Sequence, residues 1–177
     1  MIKQLKALCN KHGVCIYTDQ ENTEEFYYGS ILSVNEDEIA IYMISPDGEF
    51  DGVIAINTSR VFRVDVDSIY QNKMIKLCSE TAYDMFDCEL DNNNIFSSLL
   101  RKASSDNEIV SLELLDSGVD DIMGLVNGIY DNCVEICNID SYGIMTGYSF
   151  VRKDDITQIC IASDIERRTK RLMQIGN

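Results

Sequence analysis

The sequence predicts a mainly β protein with flanking helices, arranged as two tandem repeats. Each repeat is expected to hold a helix, a five-stranded, strongly bent antiparallel small barrel and a C-terminal helix. Three observations predict this. Gly29, Gly48 and Gly52 recur at Gly124, Gly143 and Gly147, each 95 residues on, in a chain with ten glycines. The same ungapped shift pairs apolar positions: Ile39 with Val134, Ile41 with Ile136, Ile44 with Ile139, Ile56 with Val151, Val61 with Ile156 and Val64 with Ile159. Short apolar runs alternate with turn signals throughout, as strands do. Residues 1–82 align end to end with 96–177, the signature of a duplication. The expected organisation is a first repeat over 1–79, an acidic linker over 80–95 and a second repeat over 96–177. A unit of about 80 residues lies near the lower limit of what folds alone, so packing between repeats or oligomerisation is expected.

Residues 2–11 read as a helix, with Ile2, Leu5, Leu8 and Cys9 on one face and Lys3, Lys6 and Asn10 opposite. Gly13 stops it. A strand over 14–20 alternates Val14 and Ile16 with Cys15 and Tyr17, and the polar stretch Asp19 to Glu25 turns the chain. The second strand, 26–34, contains Gly29, which marks a bend, a bulge or a close backbone approach. Asn35–Asp37 is the next turn. Strand 38–44 is apolar nearly throughout and so is expected to be buried on both faces. Ser45-Pro46-Asp47-Gly48 is a turn in which Pro presets φ and Gly tolerates a positive φ. Strand four covers 49–56, with Gly52 inside it. Asn57-Thr58-Ser59 leads to strand five, 60–66. Asp67 or Ser68 caps a helix over 69–79. In the linker, Tyr83, Met85 and Phe86 could dock on a barrel.

The second repeat replays this order. A helix covers 94–104 and strands cover 109–115, 121–130, 133–139, 144–151 and 156–161. Turns fall at Ser117-Gly118, Asp131-Asn132, Tyr142-Gly143 and Arg152–Asp154, and Ser163 caps the last helix.

A short helix followed by five bent strands, with glycine in strand two and in the turns, resembles the Sm-like (LSm/Hfq) family over about 65 residues of each repeat. The resemblance rests on Gly29-Ser30-Ile31, Asn35–Asp37, Ile39–Ile44, Gly48, Gly52 and Val61–Val64. In the second repeat it rests on Gly124-Leu125-Val126, Asp131-Asn132, Val134–Ile139, Gly143, Gly147 and Ile156–Ile159. Other SH3-like barrels, PRC-barrel types among them, share much of this pattern. The resemblance implies that strand four of one barrel pairs with strand five of the next. A covalent tandem would then keep two edges for a partner, and Val53 and Ile54 mark strand four of the first repeat. The family holds an RNA base with an Asn after strand two and an Arg-Gly after strand four. Here the aligned Asn positions are Ile39 and Val134, and strand four is followed by Asn57-Thr58 or Arg152-Lys153.

Fifteen basic residues against thirty acidic give a net charge of −15, spread over both repeats. Such a surface repels phosphate backbones and anionic lipid. Seven cysteines, an odd count with no Cys-x-x-Cys, read as reduced thiols of a reducing cytoplasm. Cys133 and Cys137 share a strand face without a histidine nearby in sequence, so neither a metal nor a cofactor is expected. No run approaches the ~20 apolar residues of a membrane span, and the expectation is a soluble cytoplasmic chain. No phosphate loop, nucleophile elbow or metal-ligand spacing occurs. His12 ends a helix, and Asp120-Asp121 and Asp154-Asp155 sit in turns, so no catalytic residue is assigned.

The candidate contacts for RNA or another partner are Arg152, Lys153 and the basic turn Arg167, Arg168, Lys170 and Arg171. Cations in that turn also favour their own helix dipole. The function expected is a non-enzymatic assembly or adaptor module, acting on itself or another protein through edge strands. The alternative is RNA binding through the basic residues of the second repeat.

Overall fold

The computed structural model describes residues 1–79, 81–87 and 89–175. It divides into two compact units, Met1–Ile95 and Phe96–Asn177. The residues read as a linker belong to the first unit, and Cys88 lies outside the described residues.

The first unit runs α1 (Ile2–Ala7), β1 (Val14–Tyr17), β2 (Tyr27–Val34), β3 (Glu38–Ile44) and β4 (Phe50–Asn57). A 3-10 turn (Thr58–Arg60), β5 (Arg63–Asp65) and α2 (Ile69–Leu77) follow. Its strands pair antiparallel in the order β5-β1-β2-β3-β4. α1 stops four residues short of the expected Lys11, since Leu8, Cys9 and Lys11 close local turns, the Asn10 N–H donates to the Ile31 carbonyl and Asn10 takes a left-handed φ of 61°. β5 is shorter than expected because the 3-10 turn takes up Thr58–Arg60.

The second unit contains α3 (Ile95–Asp106, its first residue at the boundary), β6 (Ile109–Leu114), β7 (Ile122–Ile129), β8 (Cys133–Ile139) and β9 (Met145–Arg152). A 3-10 turn (Lys153–Asp155), β10 (Ile156–Ile161) and α4 (Asp164–Ile175) complete it. The strand order is β10-β6-β7-β8-β9, again antiparallel.

The closed barrel expected from the sequence is not what these ladders draw. The five strands of each unit do not close on themselves, the first and last in its order not being hydrogen-bonded to each other among the described residues. In the first unit the short β5 spends its ladder on β1, through Cys15, Ile16 and Tyr17.

The two units match position by position. β2, β3 and β4 at 27–34, 38–44 and 50–57 correspond to β7, β8 and β9 at 122–129, 133–139 and 145–152, always 95 residues on. The β2–β3 ladder shifts register between Ile31 and Ser33, and the β7–β8 ladder shifts between Val126 and Gly128. Both C-terminal helices open on a serine. Ser68 and Gln71 form a reciprocal capping box on α2, and the Ser163 N–H donates to Glu166 at the start of α4 at 2.8 Å.

Apolar alternation builds the cores. Leu5, Val14, Ile16, Ile31, Ile39, Ile41 and Ile56 are fully buried in the first unit. Leu99, Leu100, Ile109, Leu112, Val134, Ile136 and Ile159 are buried in the second. β3 is buried on both faces, as its apolar run predicts. β8, with Glu135 and Cys137 on its second face, is fully buried only at Val134, Ile136 and Ile139. No helix among the described residues is long and apolar enough to cross a membrane.

Candidate functional site

The glycines that mark the repeat are explained by contact. A Cβ on Gly29 would lie 1.8 Å from the Tyr42 carbonyl oxygen, and one on Gly124 would lie 2.1 Å from the Cys137 carbonyl oxygen. β2 and β7 therefore cross their neighbours too closely for any side chain. Gly48 and Gly143 sit in the turns before β4 and β9. There a Cβ would meet the backbone of Leu77 and Cys78 or of Leu172 and Met173, so both turns rest on the C-terminal helices. Gly52 and Gly147 lie inside β4 and β9 with φ of 91° and 136°.

Most of the six basic candidates are engaged within the protein. Arg152 makes a two-pronged ion pair with Asp155 at 2.8 Å. Lys153 donates to the carbonyls of Tyr130 and Asp131. Arg167 donates to the Ala162 carbonyl and lies 4.0 Å from Asp164. Lys170 pairs with Glu108 at 2.7 Å. Arg168 and Arg171 are exposed on α4. Four of the six thus serve the protein's own acids and carbonyls, which lowers what they can offer a phosphate.

Two constellations went unread in the sequence. In the first unit, His12 Nδ1 shares a 2.9 Å hydrogen bond with the Ser30 hydroxyl, and its ring lies 3.9 Å from that of Tyr83. Burial pushes the Tyr28 hydroxyl up to about 12, and burial with the Tyr28 contact raises Tyr83 further. Nearby, burial pushes the Cys15 thiol up to about 11. Tyr83 belongs to a strap that covers the outer face of β3. The Tyr42 hydroxyl donates to the Ala82 carbonyl at 2.7 Å and accepts from the Met85 N–H at 3.1 Å. Phe50 lies 4.7 Å from the Tyr42 ring and 6.3 Å from that of Phe86. Asn92 is held by Ser33 and Asn35, and the Ile95 N–H by Glu38 at 2.6 Å. Of the three residues expected to dock, Tyr83 and Phe86 do so with their rings. Met85 does so through its backbone, its side chain staying exposed.

In the second unit, Glu166 is buried among donors. The Ser111 hydroxyl donates to it at 2.5 Å, the Ser163 N–H and hydroxyl donate to its other oxygen, and the Cys160 thiol lies at 3.8 Å. The Asp120 side chain keeps contact with solvent. Even so, desolvation by the surrounding protein, then the carboxylates of Glu166, Glu113 and Asp121, hold its carboxyl above the usual range. Asp121 is held low by the Ser117 hydroxyl and the Leu114 N–H. No group of three or more His, Cys, Asp and Glu among the described residues is placed to hold a metal. Of the described cysteines, Cys15 and Cys160 are buried and Cys9, Cys78, Cys133 and Cys137 half-buried.

The edges differ between the units. Val53 and Ile54 of β4, the sequence's candidates for an exposed edge, are 0% and 2% exposed, which corrects that expectation. They stand opposite Tyr42 and Ile41 of the apolar run of β3, and β4 is buried from Gly52 to Ile56. β9 is the opposite case. Among the described residues of its unit it pairs with β8 alone. Tyr148 opposite Cys137, and Phe150 opposite Glu135, are 56% and 68% exposed. No known protein-family model matches this chain, and neither does any curated protein or solved structure.

Proposed function

We infer that the protein is a non-enzymatic assembly module, made by duplication of a five-stranded Sm-like unit, that acts through protein–protein contacts at strand edges. The observation that carries the reading is β9, an eight-residue end strand whose outward side chains are large, apolar and exposed. An unpaired strand edge offers a row of N–H and C=O groups to another chain, and apolar side chains beside it add the driving force. The matched strand bounds, the matched register shifts and the matched close approaches at Gly29 and Gly124 support a duplication. The strand order supports the Sm-like version, since strands four and five of each unit stand at opposite ends of its sheet. In that family these are the strands that join neighbouring barrels. The ion pairs of Arg152 and Lys170 weigh against RNA as the partner.

Light scattering on freshly purified full-length protein, with absorbance at 260 and 280 nm, tests the reading. A multimer free of nucleic acid is the expected result. An excess at 260 nm removed by nuclease, together with oligo-U binding lost in Arg152→Ala, would replace it with the RNA reading.

A further inference from the structure

We propose that two copies of the chain pair through β9, strand to strand and antiparallel about a two-fold axis. This rests on the assembly reading and names the edge and the occupant.

Length selects β9. It runs eight residues from Met145 to Arg152, whereas β5, the end strand beside β1, has three. Two β9 strands match along their whole length, and a β9–β5 contact would leave most of β9 unpaired. β5 is also guarded. Arg63 pairs with Asp65 at 2.5 Å and lies over the Tyr17 ring at 4.4 Å, and charges on a short edge discourage pairing. β9 has a charge only at its last residue, Arg152. From Met145 to Val151 it has no charge and no proline.

Charge selects a second copy. The chain carries −15, so two copies repel over most of their surfaces. The β9 strip is neutral from Met145 to Val151, so copies can meet there without bringing like charges together. An antiparallel two-fold arrangement also sets the Arg152-Lys153 end of each strand toward the Asp140 turn of the other.

Area is sufficient. Tyr130, Tyr142, Ile144, Met145, Tyr148 and Phe150 line β9 and its approaches, each between half and about three-quarters exposed. At about 150–250 Å² for a large side chain, they offer roughly 700 Å² per copy. A specific interface buries about 800 Å² per partner, part of it from backbone. The strap in the first unit provides an internal comparison. There the outer face bearing Tyr42 is closed by Ala82–Phe86 through ring contacts and backbone hydrogen bonds. At the position matching Tyr42 in the second unit Cys137 is half-buried, and its ladder neighbour Tyr148 is exposed.

The test uses the full chain at 1–100 μM in light scattering. The wild type is expected at twice its 20.1 kDa mass. Phe150→Lys and Tyr148→Lys are each expected to weaken the dimer at least 100-fold and shift the mass to a single chain. Ile69→Lys, an exposed change on α2, should leave the mass unaltered. Amide exchange of the wild type checks the site without substitution, since Gly147 to Val151 should slow as concentration rises. A dimer indifferent to both β9 changes, with exchange there independent of concentration, overturns the β9 pairing and leaves the assembly reading standing. A mass that grows past the dimer with concentration overturns it too, in favour of a head-to-tail contact. A single chain at every concentration sinks both readings.

Discussion

Glu166 offers the sharpest test of how the second unit is built. Its carboxylate is buried, accepts from Ser111 and from the Ser163 N–H and hydroxyl, and caps α4. Glu166→Ala removes the acceptor of the Ser163 N–H at the start of α4, which is worth about 1 kcal/mol. It also leaves the Ser111 hydroxyl without its acceptor in a buried site, at about 1–3 kcal/mol. A total near 3 kcal/mol is expected. Glu166→Gln keeps the acceptor for Ser163 and turns an amide toward the Ser111 hydroxyl, which can rotate to accept. The matching position of the first unit already holds a glutamine, Gln71, whose carbonyl accepts from the Ser68 N–H at 2.7 Å. The Gln variant should therefore lose about 1 kcal/mol or less. Urea unfolding followed by far-UV circular dichroism reads both, with unchanged slopes confirming that stability alone moved. If Ala costs under about 1 kcal/mol, or if Gln costs as much as Ala, the hydrogen-bonding account of this residue is wrong.

Two further outcomes follow from the geometry. Gly29→Ala and Gly124→Ala each place a methyl within about 2 Å of a backbone carbonyl, so each should cost more than the ~1–3 kcal/mol of ordinary overpacking. Gly118→Ala meets nothing within 4 Å and should cost only the ~1 kcal/mol of its φ of +77°, so equal losses at all three positions in urea melts would refute the crowding argument. Asp120 is held above its ordinary 3.8, so the folded state takes up its proton at a higher pH than the unfolded one. The charged form therefore opposes folding at neutral pH. Asp120→Asn should stabilise the protein at pH 7, and the gain over wild type should shrink as pH falls and vanish below about 3.8. A gain that persists unchanged at pH 3 would contradict the assignment.

Much of the backbone was legible in the sequence. The bounds of β3, β8 and β10 match their expected ranges to the residue. Each is a run of apolar or alternating side chains closed by a turn signal on both sides. Burial of β3 on both faces was legible for the same reason, since Ala40 and Tyr42 alternate with Ile39 and Ile41 without a charge. What failed depended on contacts distant in the chain. The strap resembled a spacer because its acids dominate its composition, while the contacts that hold it, such as the Tyr42 hydroxyl and the Glu38 carboxylate, lie 40 or more residues away. The pairing of His12 with Ser30 across two elements leaves no local pattern either. Closure of a barrel is a property of ladder lengths, and a run such as Arg60–Val66 does not reveal that only Arg63–Asp65 will pair. Of the basic candidates, Arg167, Arg168, Lys170 and Arg171 lie together in sequence, and Arg152 and Lys153 lie apart from them. Their partners Asp155 and Glu108 become visible only when the strands and helices are in place.

The strap has a consequence for how the chain is made. The first unit extends to Ile95, past its last helix, and the Tyr42 hydroxyl bonds to the Ala82 carbonyl and the Met85 N–H. During synthesis, β1 to β5 and α2 emerge before the residues that cover them. At about 5–20 residues/s, the stretch from 80 to 95 takes roughly one to three seconds to add. For that interval the nascent unit presents Tyr42 and Phe50 uncovered at its surface. The acids at Asp84, Asp87, Glu89 and Asp91 arrive in the same stretch, so the segment that closes the unit also brings charge that keeps neighbouring nascent chains apart.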